Sequence, residues 1–193
     1  MDKELKINIG AAKTAYENAD ENGKKLLENL FGKEIFTPND ITERVKTLED
    51  AIEVIGKEHP FVTLLESFMQ DMPEHDKTDK DVIAILKLRI ICAALNEGWE
   101  PKFTKDEWRY TPWFIFYTKE EWNELSDEDK KKGVLFGGNA TYGAGDGLVF
   151  AYSHYAPSNA NANFGSRLCL KSSALARYCG TQFAEIWADY YLI

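Results

Sequence analysis

Long apolar runs are missing from this chain of 193 residues. The best candidate, Val82 to Leu95, is cut by Lys87 and Arg89, so no membrane-spanning helix is expected. The opening stretch, MDKELKINIG, has no charged segment followed by an apolar one, and no export signal is expected. Cysteine is scarce. Cys92, Cys169 and Cys179 form an odd set without paired spacing, which argues against a disulfide framework and for a reduced, cytoplasmic chain. The sequon Asn139-Ala140-Thr141 then has no glycosylation to direct.

Recognisable chemistry is missing too. His59, His75 and His154 lie far apart, and none has a second ligand at metal-binding spacing, so no metal is expected. There is no Gly-x-Ser-x-Gly elbow. Cys92 and Cys169 fall in a buried-helix pattern and a strand pattern, poor places for a reactive thiolate, and Cys179 sits on an apolar stripe. Gly143-Ala144-Gly145-Asp146-Gly147 superficially matches a dinucleotide loop, but such a loop must open a helix. The adjoining residues, Leu148 to Tyr152, have a strand pattern, so a hairpin turn is the better reading. Paired acids such as Glu49/Asp50, Glu120/Glu121 and Asp127/Glu128/Asp129 lie in solvated-face patterns. No catalytic residue and no cofactor are expected, and the reading points away from an enzyme.

Acids are nearly absent from residues 134–193, where Asp146, Glu185 and Asp189 balance Arg167, Lys171 and Arg177. The whole net charge of −9 therefore lies in residues 1–133, which hold 29 acids against 20 bases. Such a surface repels phosphate backbones, so non-specific nucleic-acid binding is not expected of it.

What is present is enough apolar residue for a core, 44% hydrophobic with 13% aromatic. Residues 11–31 read as one or two helices re-capped near Asp20. Thr47, with Asp50 three positions on, opens a short helix stopped by Gly56. A further helix is expected from Phe61 to Met69. From about Lys80 to Glu97 the apolar residues cover nearly the whole circumference, the mark of a helix buried on most sides. After Pro101 the pattern changes. Tyr110 to Tyr117, Val134 to Gly138, Gly147 to Tyr155 and Ser166 to Leu170 read as strands. Lys119 to Lys132 reads as a surface helix or insertion. A last helix starts near Ser172 or Ser173, with Leu175, Cys179, Phe183, Ile186 and Tyr190 on one stripe. The expected fold is α+β: an acidic helical region, 1–100, packed on a mainly antiparallel C-terminal sheet, 101–193, with a closing C-terminal helix, all in one unit.

One stretch has an unusual composition. Tyr152 to Arg167 (YSHYAPSNANANFGSR) combines Tyr152, His154 and Tyr155 with Asn159, Asn161 and Asn163, and contains no acid. Tyrosine supplies stiff aromatic area and Asn and Ser supply adaptable hydrogen bonds, as in binding loops. With the glycine-rich residues 137–147 it could form one neutral polar surface. Asn, Ser, Gly and Pro are also what any long connection contains, and both readings stand. Arg167 ends the stretch. Its guanidinium fork suits it to anchor the 155–165 loop, through backbone carbonyls or a carboxylate of the N-terminal half.

Several ordered blocks carry a resemblance. KLRIICAALNEGWEP (Lys87 to Pro101), YTPWF (Tyr110 to Phe114), VKTLEDAIEVIG (Val45 to Gly56) and the stretch from Phe164 to Ile193 resemble a family of uncharacterised proteins in phages and prophages of gut bacteria. The likeness covers most of the chain and brings no established activity. It implies a variable Asn/Ser/Tyr-rich segment ahead of Gly165-Ser166-Arg167-Leu168. It also implies residence in the bacterial host cytoplasm, with the virion as the alternative, and a host or phage macromolecule as partner. Leu148 to Leu170 is similar, over a short span, to the closing strands of C-type-lectin-like domains, although this chain continues into a helix instead.

Three functions stand as expectations. The first is a phage accessory binding protein using residues 137–165, with Tyr152, His154, Tyr155, Asn159, Asn161, Asn163 and Arg167 as the ligand contacts. The second is an acidic inhibitor or decoy of a basic host protein. The third is an enzyme with a scattered site near His154.

Overall fold

The computed structural model describes residues 8–70, 80–102, 104, 106–131, 133–135, 147–157 and 167–191, with 133–135 and 147–157 described through their backbone. It divides into two units, Met1–Arg44 and Val45–Ile193.

In the first unit, α1 (Ile9–Glu17) and α2 (Glu21–Phe31) precede a 3-10 turn, Lys33–Ile35, and a short α3 (Ile41–Arg44). The re-capping expected at Asp20 is there: its carboxylate accepts the Gly23 N–H at 2.8 Å, one of the donors that a helix start leaves without a partner. Tyr16 stacks on Phe36 with ring centroids 4.4 Å apart, and its hydroxyl donates to Glu28 at 2.5 Å.

The second unit begins with α4 (Leu48–Ile55), α5 (Pro60–Gln70) and α6 (Lys80–Asn96). The α4 start is the reciprocal cap that its sequence predicts. Thr47 Oγ1 accepts from Asp50 N, while the Asp50 carboxylate accepts the N–H groups of Lys46 and Thr47, both at 2.9 Å. These bonds, that from Lys46 foremost, hold the Asp50 carboxyl below its usual range. α6 is the central helix. Leu88, Ile90, Ile91 and Leu95 are fully buried, because an all-round apolar helix must be covered on every side.

β1 (Trp108–Tyr117), β2 (Gly133–Leu135) and β3 (Gly147–Pro157) pair antiparallel in the order β1-β3-β2, with a bulge beside Trp113/Phe114. α7 (Lys119–Glu124) and α8 (Asp127–Lys130) fall in the expected charged insertion, capped by Thr118 and Ser126. α9 (Ser173–Gln182) and α10 (Ala184–Tyr191) complete the described chain. No described helix is long and apolar enough to cross a membrane.

The chain is helix-rich, and this corrects the expected fold in four respects. The region beyond residue 101 is not mainly sheet, since among the described residues four helices share it with the three strands. α6 packs chiefly on other helices, α4, α5 and α10, rather than on the sheet. Of the strand expected over Ser166–Leu170, the described residues 167–170 supply none. Arg167 and Leu168 form a turn, and Leu170 alone bridges to Tyr110 through reciprocal bonds of 2.8 and 3.1 Å. Finally, the last helix is two. The backbone leaves the helical region at Phe183 (φ −114°, ψ 30°), which re-aims α10 so that Trp187 and Ala188 are buried, while Ile186 and Tyr190 are half-covered.

Trp187, 1% exposed, is where sheet and helices meet. Its ring lies 5.5 Å from Phe114 of β1 and 6.0 Å from Tyr191. Tyr191 in turn meets Phe114 and Phe116 edge-on, and burial raises its phenol pKa.

Candidate functional site

One face of α6 is not apolar throughout. Arg89, Cys92, Ala93 and Asn96 recur at the spacing that places side chains on one stripe. That stripe forms the floor of a cavity of about 690 Å³, within the range of small-molecule sites. The walls come from the end of α4, the start of α5, the 98–101 segment and the Arg167–Cys169 turn.

The start of α5 is built from His59, Pro60 and Phe61. Proline suits the first helical position, where its lack of an N–H costs nothing. His59 Nδ1 accepts the Phe61 N–H at 3.3 Å, which puts the proton of the neutral ring on Nε2. The His59 ring also meets Phe61 edge-on at 5.0 Å.

Arg89 lies over the face of Phe61, its guanidinium carbon 3.8 Å from the ring centroid. Its Nε is buried and has no hydrogen-bond partner among the described residues. Burial, and then the positive charge of Arg167, push the Arg89 pKa down. Two guanidinium groups therefore share one cavity, and among the described residues no carboxylate pairs with either. Glu97 lines the same cavity but is held by Lys171, whose Nζ lies 2.9 Å away. Glu100 is the other acid on the wall.

The turn that carries Arg167 is fixed from two sides. Asn96 Nδ2 donates to the Cys169 carbonyl at 2.9 Å, and Asn96 Oδ1 accepts the Lys171 N–H at 3.0 Å. From the other side comes the Tyr110–Leu170 bridge. Cys92 and Cys169, which line the cavity, lie near Cys179, and all three are free and buried. Hydrogen bonding to Cys179 and burial push the Cys92 thiol up, and burial pushes Cys169 up to about 11.

Of the residues nominated by the sequence, Arg167 is on this cavity, exposed, in the turn that enters it. Most of the 155–165 loop that it was expected to anchor lies outside the described residues. Among the described residues it bonds no carbonyl and no carboxylate, and its turn is held by the Asn96 side chain and the Leu170 bridge. Tyr152, His154 and Tyr155 lie on β3 opposite Trp113, Thr111 and Tyr110 of β1. Asn159, Asn161 and Asn163 lie outside the described residues, as do the glycine-rich residues 137–146 and His75. Among the described residues no group of three His, Cys, Asp or Glu side chains is placed to hold a metal ion.

Sequence reasoning passed over Arg89, His59, Phe61 and Trp99. Arg89 carried a readable signal: it is a cation inside the most apolar helix of the chain, where an unpaired charge is costly. Compared with protein-family models, with curated proteins and with solved structures, the chain matches none.

Proposed function

We propose that this chain is a non-enzymatic binding protein whose α6 cavity takes a small anionic ligand. One observation carries the reading. Arg89 and Arg167 line the same cavity, the first with a buried nitrogen that lacks an acceptor among the described residues, so two like charges share the site with no described carboxylate paired to either. An anion between them supplies the missing acceptor and removes the repulsion. The start of α5 adds the positive end of a helix to the same wall.

Lys171 strengthens the case, because it neutralises Glu97 and covers the Asn96 carbonyl at the negative end of α6. The Asn/Ser/Tyr-rich stretch joins this reading through Arg167, which ends it. The resemblance to phage and prophage proteins supports a role for such a binder among the accessory proteins of a phage-bearing host.

Calorimetry and thermal shift with a panel of phosphates and carboxylates test the proposal. Binding is expected in the parent and weakened at least about tenfold, roughly the value of one charge-assisted bond, in Arg167→Met. A panel with no ligand below millimolar affinity, or binding unaltered in both Arg167→Met and Arg89→Met, would sink it.

A further inference from the structure

The shape and lining of the cavity say more than its charge, and on the reading just given they narrow the ligand to one class. We infer that the site takes a phosphate monoester carried on a flat aromatic or heteroaromatic body, of the size of a nucleoside monophosphate.

The charged part comes from the count of donors. Two guanidinium groups on one anion match a dianion better than a carboxylate, and a phosphate monoester at neutral pH offers that charge with three acceptor oxygens. The Arg89 guanidinium carbon lies 3.8 Å from the Phe61 ring centroid, and a guanidinium carries its N–H donors in its own plane. His59 Nε2–H is a third donor on the same wall.

The body comes from volume and lining. About 690 Å³ is far more than an inorganic oxyanion fills, and the wall includes the apolar Val54, Ile55, Pro60, Ala93 and Trp99 beside the acids Glu97 and Glu100. Trp99 is half-buried, and among the described residues its indole stacks on no other ring. An indole lining the cavity with a cationic pair suits a planar ring joined to a phosphate, because stacking on an aromatic contributes about 1–3 kcal/mol per base. The Asn96 carboxamide, the neutral side chain on the wall best suited to read a base, is already used by Cys169 and Lys171. The site should therefore accept different flat bodies with similar affinity.

Calorimetry on the full chain with adenosine 5′-monophosphate, phenyl phosphate, inorganic phosphate, adenosine and benzoate separates the possibilities. The two aromatic phosphates are expected to bind at least about tenfold tighter than inorganic phosphate, benzoate or adenosine, the contribution of one stacked ring. Arg167→Met should weaken both strongly. Trp99→Leu should bring both close to inorganic phosphate while leaving inorganic phosphate itself unchanged. Arg89→Lys, which keeps the charge and loses the fork, guards against a folding defect in Arg89→Met. If benzoate matches phenyl phosphate and both depend on Arg167, the anion site stands and the phosphate assignment falls. If inorganic phosphate binds as tightly as the esters, the aromatic part falls. If none of the five binds, or Arg167→Met and Arg89→Lys change nothing, the anion site itself is overturned.

Discussion

Asn96 holds Lys171 twice: its side-chain Oδ1 accepts the Lys171 N–H at 3.0 Å, and its main-chain carbonyl accepts from Lys171 Nζ at 3.3 Å. With the bond from Nδ2 to the Cys169 carbonyl, one carboxamide does for residues 169–171 what a neighbouring strand would do. Leu170, between them, is fully buried and bridged to Tyr110. The end of α6 and the turn bearing Arg167 are thus set by one buried side chain.

Asn96→Ala should be among the costlier single changes. It leaves the Cys169 carbonyl and the Lys171 N–H without their partner, at about 1–3 kcal/mol for each group left unsatisfied. Urea unfolding is expected to show a loss of roughly 3 kcal/mol. A midpoint within error of the parent would mean that water replaces the carboxamide freely.

Arg89 should show the opposite balance. Its Nε lacks a partner and its charge is disfavoured by burial and by Arg167, while its stacking on Phe61 is favourable. Arg89→Met should then change stability by no more than about 1 kcal/mol, the scale of one cation–π contact, while ligand affinity is lost. A loss of several kcal/mol would mark Arg89 as a structural residue.

Trp187 is the largest fully buried side chain. Trp187→Ala should cost about 3–5 kcal/mol through the cavity left among Phe114, Tyr190 and Tyr191. Trp187→Phe should cost less than half of that, because it also removes an indole N–H that is buried without an acceptor. The ratio of the two losses in denaturant unfolding is the test, and equal losses would refute this account.

Alkaline pH should destabilise the second unit. The Cys169 thiol is held at about 11, above the ordinary value of 9.0, and Cys92 and Tyr191 are shifted in the same direction. The unfolded chain therefore releases these protons first. The Cys169 contribution is fully present below about pH 9 and is lost as pH rises through about 11, with the other two acting in the same direction. The urea midpoint should fall over that window, and Cys169→Ala should flatten the fall. A midpoint independent of pH from about 8.5 to 11, a window set by ordinary thiol titration, would contradict the burial of these groups.

Much of the fold was legible because its cause is local. The Thr47/Asp50 cap, the cap at Asp20 and the length of α6 each depend on residues within a few positions of one another. What was misread depends on distant partners. Ser166–Leu170 has the composition of a strand, yet its neighbours are one Tyr110 bridge and the side chain of Asn96, 73 positions from Cys169. A continuous apolar stripe from Leu175 to Tyr190 gave no warning of the break at Phe183, beyond which Trp187 packs on Phe114.

The site divides in the same way. The sequence by itself determined that α6 is buried, that the net negative charge is confined to residues 1–133, and that Arg167 stands at the end of an acid-free stretch. Only the tertiary structure decided that Arg89 and Arg167 face one cavity over Phe61. Periodicity records which residues of a segment face inward, a property of neighbours along the chain. The meeting of two guanidinium groups depends on how α6 and the 167–171 turn pack, and that packing is fixed by contacts between residues far apart in sequence.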